Sequence, residues 1–354
     1  MSKIFKQKNN YTQPKVFRDG CVPREIVYLP GNPAEIVLST GERKIASCLH
    51  CPDAPCLSFK DHELQNSAFP EFPQDQSAAV CATNAIAWDN ENGIPVVDNN
   101  RCISCGICVD RCPVGAIYMI EEGIEINNNH IGDYLINLDE DDGDPSKIFG
   151  EKMYLLSEVK RSGKLKIETD EVITNIYNQL ALIDLDAQFP NIFSRNLLMT
   201  LGTTCSIRRR GDVNVRMDAV LGPPGTNYGV MEVEFDSNAL LDSPRNILDD
   251  LAVLSSRYGI NYSDITPVIV SIAFPNTRSE YWRVINDINN VLQIKINSIT
   301  IGALILLIWN LKKVNFNTDS FYADSECMEI RSSIANIIGD NPNISIGGIL
   351  EVAK

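Results

Sequence analysis

The sequence predicts an α+β protein of two domains, a small cysteine-rich one over residues 1–145 and an α/β one with a mixed sheet over residues 146–354. Three observations predict this. Nine of the eleven cysteines fall before residue 113. A strongly acidic run over residues 139–145 then marks a linker or exposed turn. Beyond residue 150 cysteines become rare, and segments of helical periodicity alternate with short apolar runs. A chain of 354 residues fits two domains of roughly 100–200 residues each.

Taken in order, residues 25–28 and 35–38 alternate like strands, and Pro30, Gly31 and Pro33 break them apart. The cysteine region follows at residues 46–120. In the second domain, residues 171–187 carry apolar side chains at Val172, Ile173, Ile176, Leu180 and Ile183, a helical spacing. Residues 213–221 alternate and predict a strand, as do residues 230–235. Residues 244–258 read as a helix, with Ser243 as N-cap and Gly259 just past the end. Residues 267–274 form an apolar strand, residues 280–292 a helix, and residues 299–309 another buried strand.

The net charge is −15, and residues 1–150 hold 12 Lys and Arg against 22 Asp and Glu. So acidic a first part argues against broad nucleic-acid binding there. No apolar run reaches the roughly 18–20 residues that span a bilayer, and no secretory signal is apparent. The expectation is a cytoplasmic protein without a membrane span. In that reducing setting, clustered cysteines signify metal or redox chemistry more often than disulfides.

Cys102, Cys105, Cys108 and Cys112 are spaced C-x2-C-x2-C-x3-C and followed by Pro113. Two-residue gaps let a backbone loop wrap a cubane, and Gly106 permits close approach of the chain. Upstream lie Cys48, Cys51 and Cys56, then Cys81. The ending Asn84-Ala85-Ile86 after Cys81 echoes Gly115-Ala116-Ile117 after Cys112. A zinc site is the alternative for two Cys-x2-Cys pairs, but four thiols so close together, ending in proline, suit a cubane better. The region resembles a bacterial-type ferredoxin with two [4Fe–4S] clusters. That resemblance implies a ferredoxin-like di-cluster fold with a ligand swap. Cys48, Cys51, Cys56 and Cys112 would hold one cluster; Cys81, Cys102, Cys105 and Cys108 would hold the other. Two features depart from the pattern: the 24 residues 57–80 are inserted between Cys56 and Cys81, and Ala82 stands where proline follows the fourth cysteine. Cys21, Cys205 and Cys327 stand alone and read as structural or surface residues. His50, between two ligand cysteines, reads as a loop histidine or a shield for a cluster.

In the second domain, Asp218 lies on one strand candidate, and Glu232 and Glu234 share a face of the next. If the two strands pair through the turn at residues 222–225, the three carboxylates would form a Mg²⁺ site. The acids and element order resemble the PD-(D/E)xK nuclease superfamily, with Glu234 where that family carries lysine. The resemblance implies Asp218, Glu232 and Glu234 as catalytic residues, and nucleic acid as a partner through the C-terminal domain, with Arg208, Arg209 and Arg210 against phosphates. Three functions therefore stand open. One is electron transfer through two clusters to a redox partner protein, with the C-terminal domain binding a partner or substrate. The second is a Mg²⁺-dependent nuclease with structural or redox-sensing clusters, and the third is a non-catalytic interaction protein.

Overall fold

The structure is a computed structural model, and it describes residues 22–51, 53–129, 154–212, 215–222, 228–317 and 320–353. Cys21, His130, the acidic run at 139–145, Val213 and the turn residues 223–225 lie outside the described residues. Helices and mixed sheets make it an α+β protein. The chain divides into two compact units with several crossings between them. One comprises residues 1–59, 79–167 and 309–311, the other residues 60–78, 168–308 and 312–354.

In the first unit, β1 (Pro23–Leu29) and β2 (Asn32–Leu38) form an antiparallel hairpin. Pro30 and Gly31 make its two-residue turn, and Gly31 supplies the positive φ of 79°. β3 (Arg43–Ile45) pairs with β2. Two further hairpins follow: β4 (Ile86–Asp89) with β5 (Ile94–Val97), and β6 (Ile117–Ile120) with β7 (Gly123–Ile126). β8 (Lys160–Gly163) pairs in parallel with β1 and completes the sheet β3-β2-β1-β8. A polar Lys-Arg-Ser-Gly segment carries no strand signal of its own; the open edge of β1 makes it a strand.

The second unit is built on the sheet β13-β12-β11-β10-β9. β9 (Cys205–Ile207), β10 (Ala219–Leu221) and β11 (Tyr228–Glu234) form an antiparallel meander. β12 (Ile265–Ser271) and β13 (Asn297–Thr300) continue in parallel. The helices are α1 (Asp170–Leu182), α2 (Phe189–Thr200), α3 (Ser243–Tyr258), α4 (Glu280–Leu292), α5 (Ile301–Trp309) and α6 (Arg331–Ile338). α1 is capped by Thr169, whose side chain accepts from the Val172 N–H, and α3 ends on Gly259 at φ 68°.

Several expectations need correction. Residues 299–309 are not one strand: β13 stops at Thr300, and α5 begins at Ile301. A continuous apolar run has no periodicity to separate a buried strand from a buried helix. Here the Thr300 hydroxyl oxygen accepts from the Ala303 N–H at 3.2 Å and starts the helix, whose nine residues are all buried. The strand expected over 213–221 narrows to Ala219–Leu221, although Val215 and Met217 are buried. Ser243 is the first helical residue of α3, and Asp242 occupies the N-cap.

The insertion between Cys56 and Cys81 also finds its place. Residues 60–78 belong to the second unit, where Asp75 N donates to Ile207 O at 2.9 Å and Arg209 N to Pro73 O at 2.8 Å. Gln74 forms a bridge to Arg208, so this segment lies along the edge of β9. The Asn66 side chain donates to Val220 O at 3.4 Å.

Candidate functional site

The cysteine loops form two halves with matching local geometry. In each half the residue two beyond the first cysteine turns left-handed, His50 at φ 48° and Ser104 at φ 54°. Its N–H then points at the preceding sulfur: His50 N to Cys48 Sγ and Ser104 N to Cys102 Sγ, both 3.4 Å. Asn84 at φ 54° matches Gly115 at φ 72°, three residues beyond Cys81 and Cys112. Ala85 N donates to Cys81 Sγ at 3.2 Å, and several N–H groups after Cys112 act on its thiol in the same sense. Asp98 N donates to Ala85 O at 2.7 Å, and Asn127 N donates to Ala116 O at 2.9 Å, so both halves close alike. N–H donors aimed at sulfur favour the thiolate and a more negative cluster.

All ten described cysteines are free thiols. The eight of the first unit sort into two sets by the charge each would place on its neighbours. Cys51 feels Cys112, Cys56 and Cys48, and Cys56 feels Cys112 and Cys48. Cys105 feels Cys81 and Cys102, and Cys108 feels Cys105, Cys102 and Cys81 more than Cys56. Burial is the larger cause and pushes Cys48 up to about 12; Cys51, Cys56, Cys102, Cys105, Cys108 and Cys112 move the same way. Four buried or half-buried thiols that would repel one another as thiolates would be stable as thiolates around a cationic iron core.

Two further observations fit an iron–sulfur group. The absent side chain of Gly106 makes room for the Trp309 ring, whose Cδ1 lies 3.0 Å from where a Cβ would stand. Trp309 Nε1 is buried and has no hydrogen-bond acceptor among the described residues. It is thus a free donor beside the loop between Cys105 and Cys108, where cluster and cysteine sulfur would accept. At the other set, Arg161 from β8 donates to Cys112 O at 3.1 Å and to the Tyr28 hydroxyl, and pairs with Asp110 at 3.6 Å. Arg161, Lys166 and Trp309 were missed in the sequence because each reaches the loops from far along the chain.

Of the lone cysteines that the structure describes, Cys205 is fully buried, and Cys327 is exposed with its thiol donating to Glu329 O at 3.0 Å.

In the second unit β10 and β11 pair, and each of the three acids also has partners outside the trio. Asp218 accepts from Val233 N at 3.0 Å and Asn191 Nδ2 at 3.1 Å, and pairs with Arg208 at 3.3 Å. Glu232 accepts from Asn246 at 3.0 Å, and Glu234 accepts from Asp236 N at 2.8 Å. Among the described residues no group of three His, Cys, Asp or Glu side chains that could hold a metal ion is found, at Asp218, Glu232 and Glu234 or at the cysteines. Arg209 pairs with Asp212 and Arg210 with Asp186, so the arginine loop is matched by acids of its own chain.

A different pairing emerges in that region. Asp250, on the apolar face of α3 with Ile247, Leu251 and Leu254, is buried and its Oδ2 has no hydrogen-bond partner. Burial, then the neighbouring Asp218, raises Asp250 to about 7 and Glu232 to about 8. The folded protein therefore keeps protons that the unfolded chain has already lost, and stability falls as pH rises from the carboxylate range through about 8. Glu232→Gln should flatten this dependence, adding on the order of 1–3 kcal/mol at pH 9 and little at pH 5. Urea midpoints at the two pH values check this; an unchanged slope in the variant would count against it.

Residues 95–118 match the family of the 4Fe-4S binding domain. The chain is 33% identical over 72 residues to an uncharacterized ferredoxin of Methanocaldococcus jannaschii, covering 20% of this chain and 32% of the relative. It is 37% identical over 73 residues to a thiosulfate reductase electron transfer subunit of Salmonella typhi, covering 21% and 27%. It is 33% identical over 67 residues to the polyferredoxin-like subunit of an aliphatic sulfonate oxidoreductase of Pyrococcus furiosus, covering 19% and 27%. The chain thus spans about a third or less of the length of these relatives. No solved structure matches it. Among the described residues no helix is long and apolar enough to cross a membrane.

Proposed function

We propose that the chain is an iron–sulfur electron-transfer protein with two [4Fe–4S] clusters, working as a subunit or partner of a larger redox enzyme. The observation that supports this most is the sorting of eight buried or half-buried thiols into two sets of four: Cys48, Cys51, Cys56 and Cys112 against Cys81, Cys102, Cys105 and Cys108. The relatives that are electron-transfer subunits of reductases and oxidoreductases point the same way. When bound, each cluster takes up and returns one electron. The chain's own residues bury or half-bury the sulfur donors and aim the N–H groups of His50, Ser104 and Ala85 at them. Together these lower the reorganisation that accompanies a change of charge. The second unit serves as the module that recognises the redox partner or its substrate, and the acidic surface favours a basic docking face.

Anaerobically purified or reconstituted protein should absorb broadly near 400 nm, contain iron and sulfide for two cubanes, and give reduced-cluster EPR signals with dithionite. Colourless protein with stoichiometric zinc would sink the proposal.

A further inference from the structure

Lys166 follows β8 and is only 8% exposed. Its Nζ donates to two neutral oxygens, Ile120 O and Glu121 O, both at 3.1 Å, where β6 turns toward β7. Carbonyl dipoles hold an ammonium in place but leave its charge unbalanced, and an unbalanced buried charge costs several kcal/mol. The negative groups that act on it are Cys102 and, more weakly, Glu121. Its position is fixed from behind, because Leu165 N donates to Trp309 O at 2.8 Å and Trp309 packs on Gly106 of the same cysteine loop. At the other set the half-buried guanidinium of Arg161 already has a carboxylate partner in Asp110.

We propose that Lys166 is the counter-charge of the cluster held by Cys81, Cys102, Cys105 and Cys108, and that it raises that cluster's reduction potential selectively. This rests on the two-cluster reading above. A [4Fe–4S] core with four thiolates carries net negative charge, and reduction adds one more. A fixed cation beside it stabilises the reduced state more than the oxidised one. Lys166 lies outside the cysteine motifs, so the tuning is a property of this chain rather than of the loop.

The test is an EPR-monitored redox titration of the full-length loaded protein, with iron and sulfide measured on every variant. Lys166→Met and Lys166→Gln should each lower one of the two potentials and leave the other in place, while Lys166→Arg stays near the parent. Loss of one cluster in the neutral variants, with both retained in Lys166→Arg, also supports the counter-charge. The inference is overturned if neither potential moves, if both move together, or if Lys166→Arg shifts as far as Lys166→Met. Parent protein that fails to load two clusters would instead defeat the two-cluster reading, and the iron analysis separates the two failures.

Discussion

Replacing Cys112 with alanine should destroy the same cluster as replacing Cys48, and should spare the one held by its sequence neighbours. The four cysteines from Cys102 to Cys112 span one short loop, yet the Cys112 thiol interacts with Cys48, Cys51 and Cys56. Residues that act as a unit are non-additive when removed together. The Cys48→Ala/Cys112→Ala double variant should therefore lose no more iron or EPR signal than either single variant. The Cys102→Ala/Cys112→Ala double variant should lose both clusters. If that second double variant kept one intact cluster, Cys112 would belong with Cys102, Cys105 and Cys108, and the swapped arrangement would be wrong. Cys81→Ala with Cys102→Ala provides the reciprocal comparison and should remove one cluster only.

The second large effect is expected at Gly163. This glycine ends β8, has φ 88°, and a Cβ there would stand 2.2 Å from the carbonyl oxygen of Tyr28. The atom in the way is backbone in the adjoining strand, where Tyr28 pairs with Gly163, so no side chain can swing aside. Left-handed strain costs about 1–2 kcal/mol, and the steric overlap adds about 1–3 kcal/mol. Gly163→Ala should thus destabilise the first unit by roughly 2–5 kcal/mol. Hydrogen exchange would show it as lost protection in β1 and β8, with the second unit's β12 unaffected. Gly41, at φ 84° with nothing within 4 Å of a Cβ, is the control: Gly41→Ala should incur the backbone strain alone. Equal losses at the two positions would remove the argument for a steric contribution.

What the sequence made legible was local. The spacing from Cys102 to Cys112 encodes its own loop, and the echo between Asn84-Ala85-Ile86 and Gly115-Ala116-Ile117 corresponds to matching left-handed residues and matching β4 and β6 starts. Helix α4 was legible to the residue, because its apolar stripe and flanking Ser279 are local signals too. What was illegible depends on distant chain. β8 exists because β1 has an edge to fill, and Lys166 looks like any surface lysine until Ile120 and Glu121 are seen around it. α5 defeated the pattern because burial on every side erases periodicity. The acids show a related limit. Alternation correctly put Glu232 and Glu234 on a shared strand, but the choice of neighbours fell to Asn246, Asp236 and α3's Asp250, which no strand pattern reveals.

The crossings of the chain between its two units set a timetable for making the protein. The first unit draws on residues 22–59 and 79–167 and then takes Trp309–Leu311, so a nascent chain cannot complete it until residue 311 has been made. The cysteine loops emerge early but meet Trp309 only late. Iron delivered before then would find loops without their final cover. The metal is better received once that stretch is in place, and a fragment that stops near residue 150 would be a poor stand-in for the iron-holding half.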